Sequence, residues 1–403
     1  MRGQRRVDDG LLDEVRRAVL AEPGPVTAAG IAAAVRGTGR LLGTAGTLAA
    51  VELISAELRG LGPLQCVADD PEVTDIFVNS PDQVWIDRGR GLEASGIAFP
   101  TEDAVRALAV RLVAAGGRRL DDSSPCVDVR LSGGYRVHAV LPPVSTSGTL
   151  LSVRIRREHS VTLDELEASG ALLADQRGVL EALVRQGRSF LVSGATGSGK
   201  TTLLTTLLSL VPDEQRVVLV EDAAELAPEH PHTVTLEARH GNVEGAGGVG
   251  LAELVRQALR MRPDWLVVGE CRGAEVRELL SALNTGHSGA GTVHANTAGS
   301  VAARIAALGA LAGMSPDATA LQAATALEAV IHLERTPEGR KVAAIAVVGE
   351  QGGRLTVTDA LVRAGAWAGA PERGRCRRGP GWPALARLLG LPSVDGPVPE
   401  AAS

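Results

Sequence analysis

The chain has 403 residues, of which 45% are hydrophobic and 22% are charged, so it can form two globular domains with buried cores. Its net charge of -6 and its aromatic content of 2% argue against a nucleic-acid translocase, because such proteins use basic surfaces and aromatic stacking platforms. Its four cysteines lie far apart without a C-x-x-C pair, so neither a disulfide framework nor a zinc cluster is indicated.

Residues 1–45 are predicted to form an amphipathic helical leader, which is interrupted by a loop at 22–25 that contains two prolines. The first six residues are basic, but Asp8 and Asp9 stand where a signal peptide has its apolar core. No stretch of the chain approaches the roughly 18 apolar residues of a membrane-spanning helix. We therefore expect a cytoplasmic protein that is connected to a membrane only through its partners.

Residues 46–157 are predicted to form a small α+β domain. Alternation of apolar and polar residues indicates a hairpin of two strands at 73–78 and 83–87, which is followed by a helix at 101–115. Two more strands are expected farther on, at 135–140 and 150–156. This half of the chain therefore mixes strands with a helix without a regular alternation.

Residues 158–370 alternate between helices and apolar strands, which is the pattern of a parallel sheet covered by helices. The predicted strands include 189–193, 217–220 and 265–268. Each strand ends in residues of chemical interest, at the edge where open α/β sheets bind ligands. Residues 371–403 are rich in arginine, glycine and proline and are expected to form a flexible tail.

A phosphate-binding loop is predicted at 194–201, which matches every position of the pattern G-x-x-x-x-G-K-[ST]. A buried strand precedes it and an apolar-rich helix follows it, as the pattern requires. Its glycines allow several backbone N–H groups to point at one phosphate. Lys200 is expected to reach the β- and γ-phosphates of ATP, and the Thr201 hydroxyl to ligate Mg²⁺. The predicted nucleotide-binding residues of this segment are Gly194, Ala195, Thr196, Gly197, Ser198, Gly199, Lys200, Thr201 and Thr202.

Two glutamates, Glu221 and Glu270, come at the carboxyl ends of predicted core strands. We assign Glu270 to activating the attacking water, directly or through the Mg²⁺ shell, and Glu221 to supporting the metal or the water. Asp264 precedes its strand and is therefore expected at the opposite edge of the sheet. Thr201, Glu221 and Glu270 are accordingly the predicted Mg²⁺ ligands.

Two histidines, His287 and His294, lie seven residues apart around a stretch that is interpreted as a glycine-rich turn. Such a turn can approach phosphates closely, and a histidine within it can contact or sense the γ-phosphate. A metal site formed by the pair is not indicated, because no third ligand has a suitable spacing. Both histidines are therefore predicted to bind the nucleotide.

In their order along the chain, these motifs resemble those of the secretion ATPase superfamily of type II secretion, type IV pili and type IV secretion. The family's Walker A, acidic, Walker B and histidine boxes correspond to 194–202, 221–226, 259–273 and 285–296. The chain is most similar to the tight-adherence (Tad/CpaF-type) branch, which assembles Flp pili. The segments similar to that branch are 61–64, 75–79, 236–239 and 244–245.

Other features of the sequence bear on the choice of branch. The zinc-binding tetracysteine segment of many type II secretion ATPases is missing, which favours the tight-adherence branch or the related conjugation-type secretion ATPases. Two positions depart from the family pattern. Ser288 stands where an acid usually follows Gly-His, and Trp265 stands where an arginine is common in this branch.

The resemblance implies an α/β fold with a C-terminal RecA-like P-loop NTPase domain and a smaller α+β N-terminal domain. It also implies a homohexameric ring with nucleotide sites between the two domains. Arginines of the N-terminal domain then neutralise charge in the transition state. Arg136 and Arg154 match those positions best, with Arg130 and Arg156 as alternates.

The expected function is Mg²⁺-dependent ATP hydrolysis that changes the angle between the domains in a ring. This motion transmits force to an inner-membrane platform that adds pilin subunits, so the protein is expected at the inner face of the cell membrane. Two alternatives stay open. One is a conjugation or protein-export motor with the same chemistry, and the other is a nucleotide-dependent assembly scaffold with little turnover.

Overall fold

The computed structural model describes residues 15, 28–38, 60–89, 91–131, 133–155, 161–239, 247–364 and 375–392. Contacts within the chain divide it into two units, Met1–Glu158 and His159–Ser403. The predicted leader contributes helix α1 (Ala28–Gly37), and most of its other residues lie outside the described ranges. Every helix in these ranges is too short or too polar to span a membrane.

The first unit is built on an antiparallel sheet. After α1, its elements are a 3-10 turn (Gly62–Leu64), α2 (Gln65–Ala68), β1 (Asp75–Ser80), β2 (Gln83–Asp87), β3 (Leu92–Ala94), α3 (Glu102–Ala115), β4 (Cys126–Leu131), β5 (Tyr135–Val140) and β6 (Leu150–Ile155). The six strands form one sheet in the order β3-β2-β1-β6-β5-β4. The predicted hairpin is present as β1 and β2, with Asp75 opposite Asp87.

Helix α3 supplies much of the core of this unit. Its apolar face, which includes Val105 and Leu112, is buried in one cluster with the inward-facing residues of the strands. The side chain of Thr101 caps the helix by accepting a hydrogen bond from the N–H of Ala104 at 3.2 Å. Because residues alternate between the faces of a strand, polar side chains occupy the face of the sheet that points away from this core.

The second unit alternates strands and helices. Its elements are α4 (Leu163–Ala168), α5 (Ala174–Arg185), β7 (Phe190–Gly194), α6 (Lys200–Leu208), β8 (Val217–Glu221), β9 (Thr233–Glu237), α7 (Leu251–Ala258), a 3-10 turn (Leu259–Met261), β10 (Trp265–Val268), α8 (Glu275–Leu283), β11 (Ser288–His294), α9 (Ser300–Leu311), α10 (Pro316–Ala326), β12 (Ala329–Thr336), β13 (Gly339–Gln351), β14 (Arg354–Arg363), β15 (Cys376–Arg378) and α11 (Trp382–Leu389). The strands form one sheet in the order β15-β14-β13-β12-β7-β11-β10-β8-β9.

This sheet is parallel from β12 to β9 and antiparallel from β12 to β15. Helices α5, α6 and α11 cover one face, and helices α7 to α10 cover the other. Phe190 and Val192 therefore belong to one hydrophobic cluster, and Leu191 between them belongs to the other. Coverage of both faces explains why the central strands are apolar throughout, as the alternation of helices and strands predicted.

The described segment 375–392 differs from the flexible tail that was predicted for 371–403. Within the described segment 375–392, β15 pairs with β14 and α11 packs into the core through Leu385 and Leu389. Trp382 is only 3% exposed, and the guanidinium of Arg378 lies 4.5 Å from its ring centre. The prediction is therefore wrong for this segment, because the arginine-rich stretch is followed by an amphipathic helix.

Candidate active site

The phosphate-binding loop connects β7 to α6. Gly194, Gly197 and Gly199 have φ angles of 152°, 72° and 95°, which residues other than glycine adopt only with strain. A Cβ on Gly194 would lie 2.5 Å from both the carbonyl oxygen of Leu333 and Oγ of Ser198. The glycines of the motif are therefore required both by backbone conformation and by close approach.

Lys200 begins helix α6 and is only 7% exposed. Its ammonium group donates hydrogen bonds to the carbonyl oxygens of Gly194 at 3.1 Å and Ala195 at 2.9 Å. Burial lowers the pKa of Lys200, against the opposing effect of the Glu270 charge. The lysine thus lies folded against the loop, within reach of whatever the loop binds.

Glu270 follows β10 and lies between two nitrogen-bearing side chains. Its Oε2 accepts a hydrogen bond from Nη2 of Arg272 at 2.6 Å, and its Oε1 lies 2.7 Å from Nε2 of His294. Burial alone would raise the pKa of Glu270, but the hydrogen bond from Arg272 and the charges around it outweigh burial and lower that pKa. The carboxylate is therefore ionised at neutral pH.

His294 connects Glu270 to the phosphate-binding loop. It ends β11, which lies between β7 and β10, and it stands opposite Gly194 in the sheet. Its Nδ1 lies 3.4 Å from Nζ of Lys200. Burial and the Lys200 charge lower the pKa of His294, so its imidazole is neutral at pH 7. Because an ammonium group only donates and a carboxylate only accepts, the ring proton belongs on Nε2, the nitrogen that lies 2.7 Å from Oε1 of Glu270.

His287 does not join this site, contrary to the prediction. It immediately precedes β11, and its Nδ1 lies 3.2 Å from the carbonyl oxygen of Ala282 at the end of α8. The length of β11 separates it from His294 by roughly 23 Å, at about 3.3 Å per residue. Asp264 lies at that same distant edge, as predicted, where its Oδ2 accepts a hydrogen bond from the N–H of Arg216 at 2.8 Å.

The reason for the incorrect assignment of His287 lies in two glycines of the same segment. Gly289 and Gly291 are inside β11 and do not form a turn. A Cβ on Gly289 would lie 2.5 Å from the carbonyl oxygen of Leu266, and one on Gly291 would lie 2.9 Å from that of Val268. These glycines therefore permit close approach to β10, a role that the sequence pattern does not distinguish from a loop.

Glu221 lies at the end of β8 and is 3% exposed. Its Oε1 accepts hydrogen bonds from the N–H groups of Glu225 at 2.8 Å and Leu226 at 2.9 Å. A Cβ on Gly269 would lie 2.8 Å from Cγ of Glu221, so this side chain passes beside the residue that precedes Glu270. Glu221 therefore shapes both the turn after β8 and the start of the Glu270 loop.

The residues of the loop fit a bound nucleotide and its Mg²⁺. Oγ of Ser198 is buried and makes no hydrogen bond within the described residues, as expected of a hydroxyl that faces a ligand site. The described ranges contain no group of three or more histidine, cysteine or acidic side chains that could hold a metal by themselves. Mg²⁺ with ATP needs only one or two protein ligands, because phosphates and water supply the others. Thr201 and Glu270 suit that arrangement.

The predicted arginines of the first unit form one row across its sheet. Arg130, Arg136 and Arg154 lie directly opposite one another on β4, β5 and β6. Nη2 of Arg136 lies 2.6 Å from Oδ2 of Asp128, and Nε of Arg154 lies 3.2 Å from Oδ1 of Asp75. The alternate arginine at position 156 lies outside the described residues. Their role toward a nucleotide stays a prediction.

Three arginines of the second unit were not predicted from the sequence, although they lie near Glu270 or the phosphate-binding loop. Arg272 holds Glu270, and its position two residues after that glutamate in the Walker B box was an available signal. Arg335 and Arg340 come from the β12–β13 hairpin, and Arg340 donates a hydrogen bond from Nε to the carbonyl oxygen of Gly197 at 3.0 Å. Neither Arg335 nor Arg340 lies in a sequence motif from which this position could have been predicted.

The two departures from the family pattern have structural roles. Oγ of Ser288 donates a hydrogen bond to the carbonyl oxygen of Gly187 at 2.9 Å. Trp265 is fully buried, and its Nε1 donates to Oε1 of Gln215 at 2.9 Å. Its ring also packs edge-on against Phe190, with centroids 6.2 Å apart. Both residues therefore stabilise the sheet at the edge distant from the phosphate-binding loop.

Two relatives are similar in sequence to most of this chain. A protein of Mycobacterium tuberculosis, provisionally named as a conjugal transfer protein, is 50% identical over 323 residues, which cover 78% of this chain and 92% of the relative. The conjugal transfer protein TrbB of Rhizobium radiobacter is 32% identical over 290 residues, which cover 70% of this chain and 86% of TrbB.

Solved structures show the same fold. The Legionella pneumophila ATPase DotB matches with a TM-score of 0.51 at 20% identity, over 69% of this chain and 77% of DotB. The pilus retraction motor PilT with bound ADP matches with a TM-score of 0.50 at 20% identity, over 75% of this chain and 82% of PilT. The predicted α/β fold with a RecA-like P-loop domain is thereby confirmed.

The family assignment follows from a match to most of the chain. The sequence profile of the family described as "Type II/IV secretion system protein" matches residues 57–364, which include all four boxes and the whole of the site described above. The chain therefore belongs to the type II/IV secretion ATPase family.

Proposed function

We propose that this chain is an Mg²⁺-dependent ATPase that powers tight-adherence (Flp-type) pilus assembly or secretion through an inner-membrane platform. The observation that carries the proposal is the series of contacts from Lys200 through His294 to Glu270. A loop suited to phosphates and an ionised carboxylate thus meet at the carboxyl ends of three adjacent strands, β7, β11 and β10. ATP hydrolysis requires these two groups to act on one phosphate.

Binding begins at the phosphate-binding loop. Lys200 donates to two neutral carbonyl oxygens, and a phosphate is a stronger partner for an ammonium group because it is charged. The backbone N–H groups at the start of α6 and the hydroxyl of Ser198 supply further donors. We therefore propose that the β- and γ-phosphates draw Lys200 away from the carbonyls of Gly194 and Ala195.

Glu270 orients the attacking water. Its lowered pKa makes it a weak proton acceptor, but phosphoryl transfer through a loose transition state depends more on positioning than on early proton removal. Arg272 donates a hydrogen bond to one carboxylate oxygen, and Nε2 of His294 lies 2.7 Å from the other. His294 thereby couples the position of the carboxylate to that of Lys200.

Mg²⁺ would be held by Thr201 and Glu270 and would neutralise charge on the phosphates. For Glu221 we propose a positioning role in place of direct ligation, because its Oε1 already accepts two backbone hydrogen bonds and its Cγ lies beside Gly269. Glu221 thus acts on the reaction through the loop that carries Glu270. This proposal revises the metal-ligand role that the sequence indicated.

The remaining parts of the proposal come from the family resemblance. The protein is proposed to form a homohexameric ring at the cytoplasmic face of the inner membrane, with platform proteins as partners. Arg136 and Arg154 are proposed to neutralise charge on the transferred phosphoryl group. Both pair with carboxylates in the structure, Arg136 with Asp128 and Arg154 with Asp75, so a phosphoryl group would have to displace these carboxylates.

A conjugation-type secretion motor is the alternative, and the names of the relatives from Mycobacterium tuberculosis and Rhizobium radiobacter favour it. The ATPase chemistry is the same in both cases, so the membrane partner decides between them. Crosslinking in cells followed by identification of the bound membrane protein separates the two. A platform protein encoded beside prepilins supports the pilus, and one encoded beside a relaxase and a coupling protein supports conjugation.

Phosphate release by the purified full-length protein tests the ATPase proposal. We expect Glu270→Gln to lower kcat by about 100-fold or more while Mg²⁺-ADP binding persists, because an amide cannot replace the carboxylate toward water and metal. The exposed Glu229→Gln is the matched control and should keep wild-type turnover. Equal and negligible release by the wild type and Glu270→Gln, with nucleotide bound, would instead support a scaffold.

A further inference from the structure

The hairpin of β12 and β13 lies against the phosphate-binding loop. Arg335 and Arg340 stand opposite each other in this hairpin, and Nε of Arg340 donates to the carbonyl oxygen of Gly197 at 3.0 Å. Nη1 of Arg335 lies 3.6 Å from the point that a Cβ on Gly197 would occupy. Cδ of Arg340 lies 3.2 Å from the corresponding point at Gly199. Two guanidinium groups therefore flank the loop on the side of this hairpin.

The sheet order places this hairpin on the side opposite to the proposed catalytic groups. β12 neighbours β7 on one side, whereas β11 with His294 and β10 with Glu270 lie on the other. Leu333 is paired with Gly194, so the residues of β12 after Leu333 extend past the strand that ends in the loop. If the γ-phosphate of a bound ATP lies near Glu270, the hairpin is the element on the other side of the loop that its nucleoside could contact.

The tip of the hairpin is held by its own polar contacts. Oγ1 of Thr336 donates to Oε2 of Glu338 at 2.9 Å, and Nζ of Lys341 lies 3.0 Å from the same oxygen. The hydrogen bond from Arg340 ties the hairpin to the loop itself. The two arginines are thus presented by an ordered element, which lowers the entropy that ligand binding must fix.

We propose that Arg335 and Arg340 form a binding site for the nucleoside end of ATP, an inference that rests on the proposed function. A guanidinium group is planar, is always charged, stacks on aromatic bases and donates several hydrogen bonds in a fixed plane. These properties suit a purine ring and a ribose. The site adds affinity for adenosine to the affinity that the loop provides for phosphates.

Comparing the binding of two ligands distinguishes nucleoside binding by these arginines from a role in shaping the phosphate-binding loop. Mg²⁺-ADP has a nucleoside, whereas tripolyphosphate occupies the phosphate loop without one. For Arg335→Ala and Arg340→Ala in the full-length protein, we expect the Kd of Mg²⁺-ADP by calorimetry to rise about tenfold. The Kd of tripolyphosphate should stay within about twofold of the wild-type value. Arg354→Ala, which removes an exposed arginine at the start of β14, is the matched control and should change neither Kd.

Each other outcome has a distinct meaning. Equal weakening of both ligands would overturn the inference and leave the arginines as supports of the loop. An unchanged Kd for Mg²⁺-ADP in both variants would overturn it as well. If the wild type binds neither ligand, the proposed ATPase function fails first. Thermal unfolding checks that each variant is folded, and Arg335→Gln, which keeps a long polar side chain, replaces Arg335→Ala if that variant does not fold.

Discussion

Replacing Gly269 by alanine tests whether Glu221 positions the loop that carries Glu270. The new Cβ would lie 2.8 Å from Cγ and 3.1 Å from Oε1 of Glu221. Carbon atoms in contact prefer about 3.5–4.0 Å, so an overlap of about 1 Å must be relieved. Either Glu221 withdraws from the N–H groups of Glu225 and Leu226, or the peptide that carries Glu270 moves.

The two ways of relieving the overlap have different costs. A buried N–H group that loses its partner costs about 1–3 kcal/mol, so withdrawal of Glu221 from the N–H groups of Glu225 and Leu226 should destabilise the fold by about 2–6 kcal/mol. For a unit of this size that lowers Tm by on the order of 10 °C. Movement of Glu270 by about 1 Å should lower kcat about 100-fold. We expect Gly269→Ala to show a mixture of both effects, measured by thermal unfolding and by phosphate release.

Two comparisons make the Gly269→Ala result specific. A Cβ on Gly299 would meet no atom within 4 Å, so Gly299→Ala is the matched control and should change neither Tm nor kcat appreciably. Combining Gly269→Ala with Glu221→Ala removes the overlap, so the loss of stability should be smaller than the sum of the single losses. Wild-type Tm and kcat in Gly269→Ala would refute the reasoning.

Two further predictions concern the neighbours of Glu270 and the distant histidine. Arg272 holds the pKa of Glu270 below its usual value, so Arg272→Ala should raise that pKa and move the acidic limb of kcat/KM to higher pH. Arg277→Ala is the control, and an unshifted limb in Arg272→Ala would contradict this assignment. His287→Ala should keep kcat within about twofold, because the length of β11 separates it from the phosphates. A loss comparable to that of His294→Ala would show that His287 acts at the site.

The parts of the site that could be predicted from the sequence are those that depend on local chain geometry. The phosphate-binding loop needs a strand, several glycines and a helix start within a few residues, and the sequence shows all three. The position of Glu270 followed from the rule that parallel strands present their carboxyl ends at one edge. The same rule correctly excluded Asp264.

The contacts that could not be predicted connect residues distant along the chain. His294 contacts Lys200 and Glu270 only because β11 lies between β7 and β10. No single sequence motif predicts that order of strands. The approach of Arg340 to Gly197 likewise depends on the pairing of β12 with β7. Glycine is ambiguous for another reason, since a turn and a close approach of two strands both require it.

In the first unit, the alternation of apolar and polar residues predicted the strands but not the register in which they pair. The register brings Arg130, Arg136 and Arg154 into one row, and Asp128 and Asp75 pair with two of them. Three like charges placed side by side repel one another, and the carboxylates reduce that repulsion. The acidic residues are thus part of the arrangement, although the sequence indicated only the arginines.

The ion pairs of Arg136 with Asp128 and of Arg154 with Asp75 determine how easily the proposed arginine contacts with a phosphate can form and break. A partly exposed pair between arginine and aspartate contributes only about 0–1 kcal/mol, so exchange of the aspartate for a multiply charged phosphate is favourable but reversible. Under the proposal that Arg136 and Arg154 neutralise charge on the transferred phosphoryl group, loss of the γ-phosphate would let Arg136 pair with Asp128 and Arg154 with Asp75, as they do in the structure. Such an exchange lets the proposed arginine contacts form with ATP and break after hydrolysis, which is the property that cyclic motion of a ring requires.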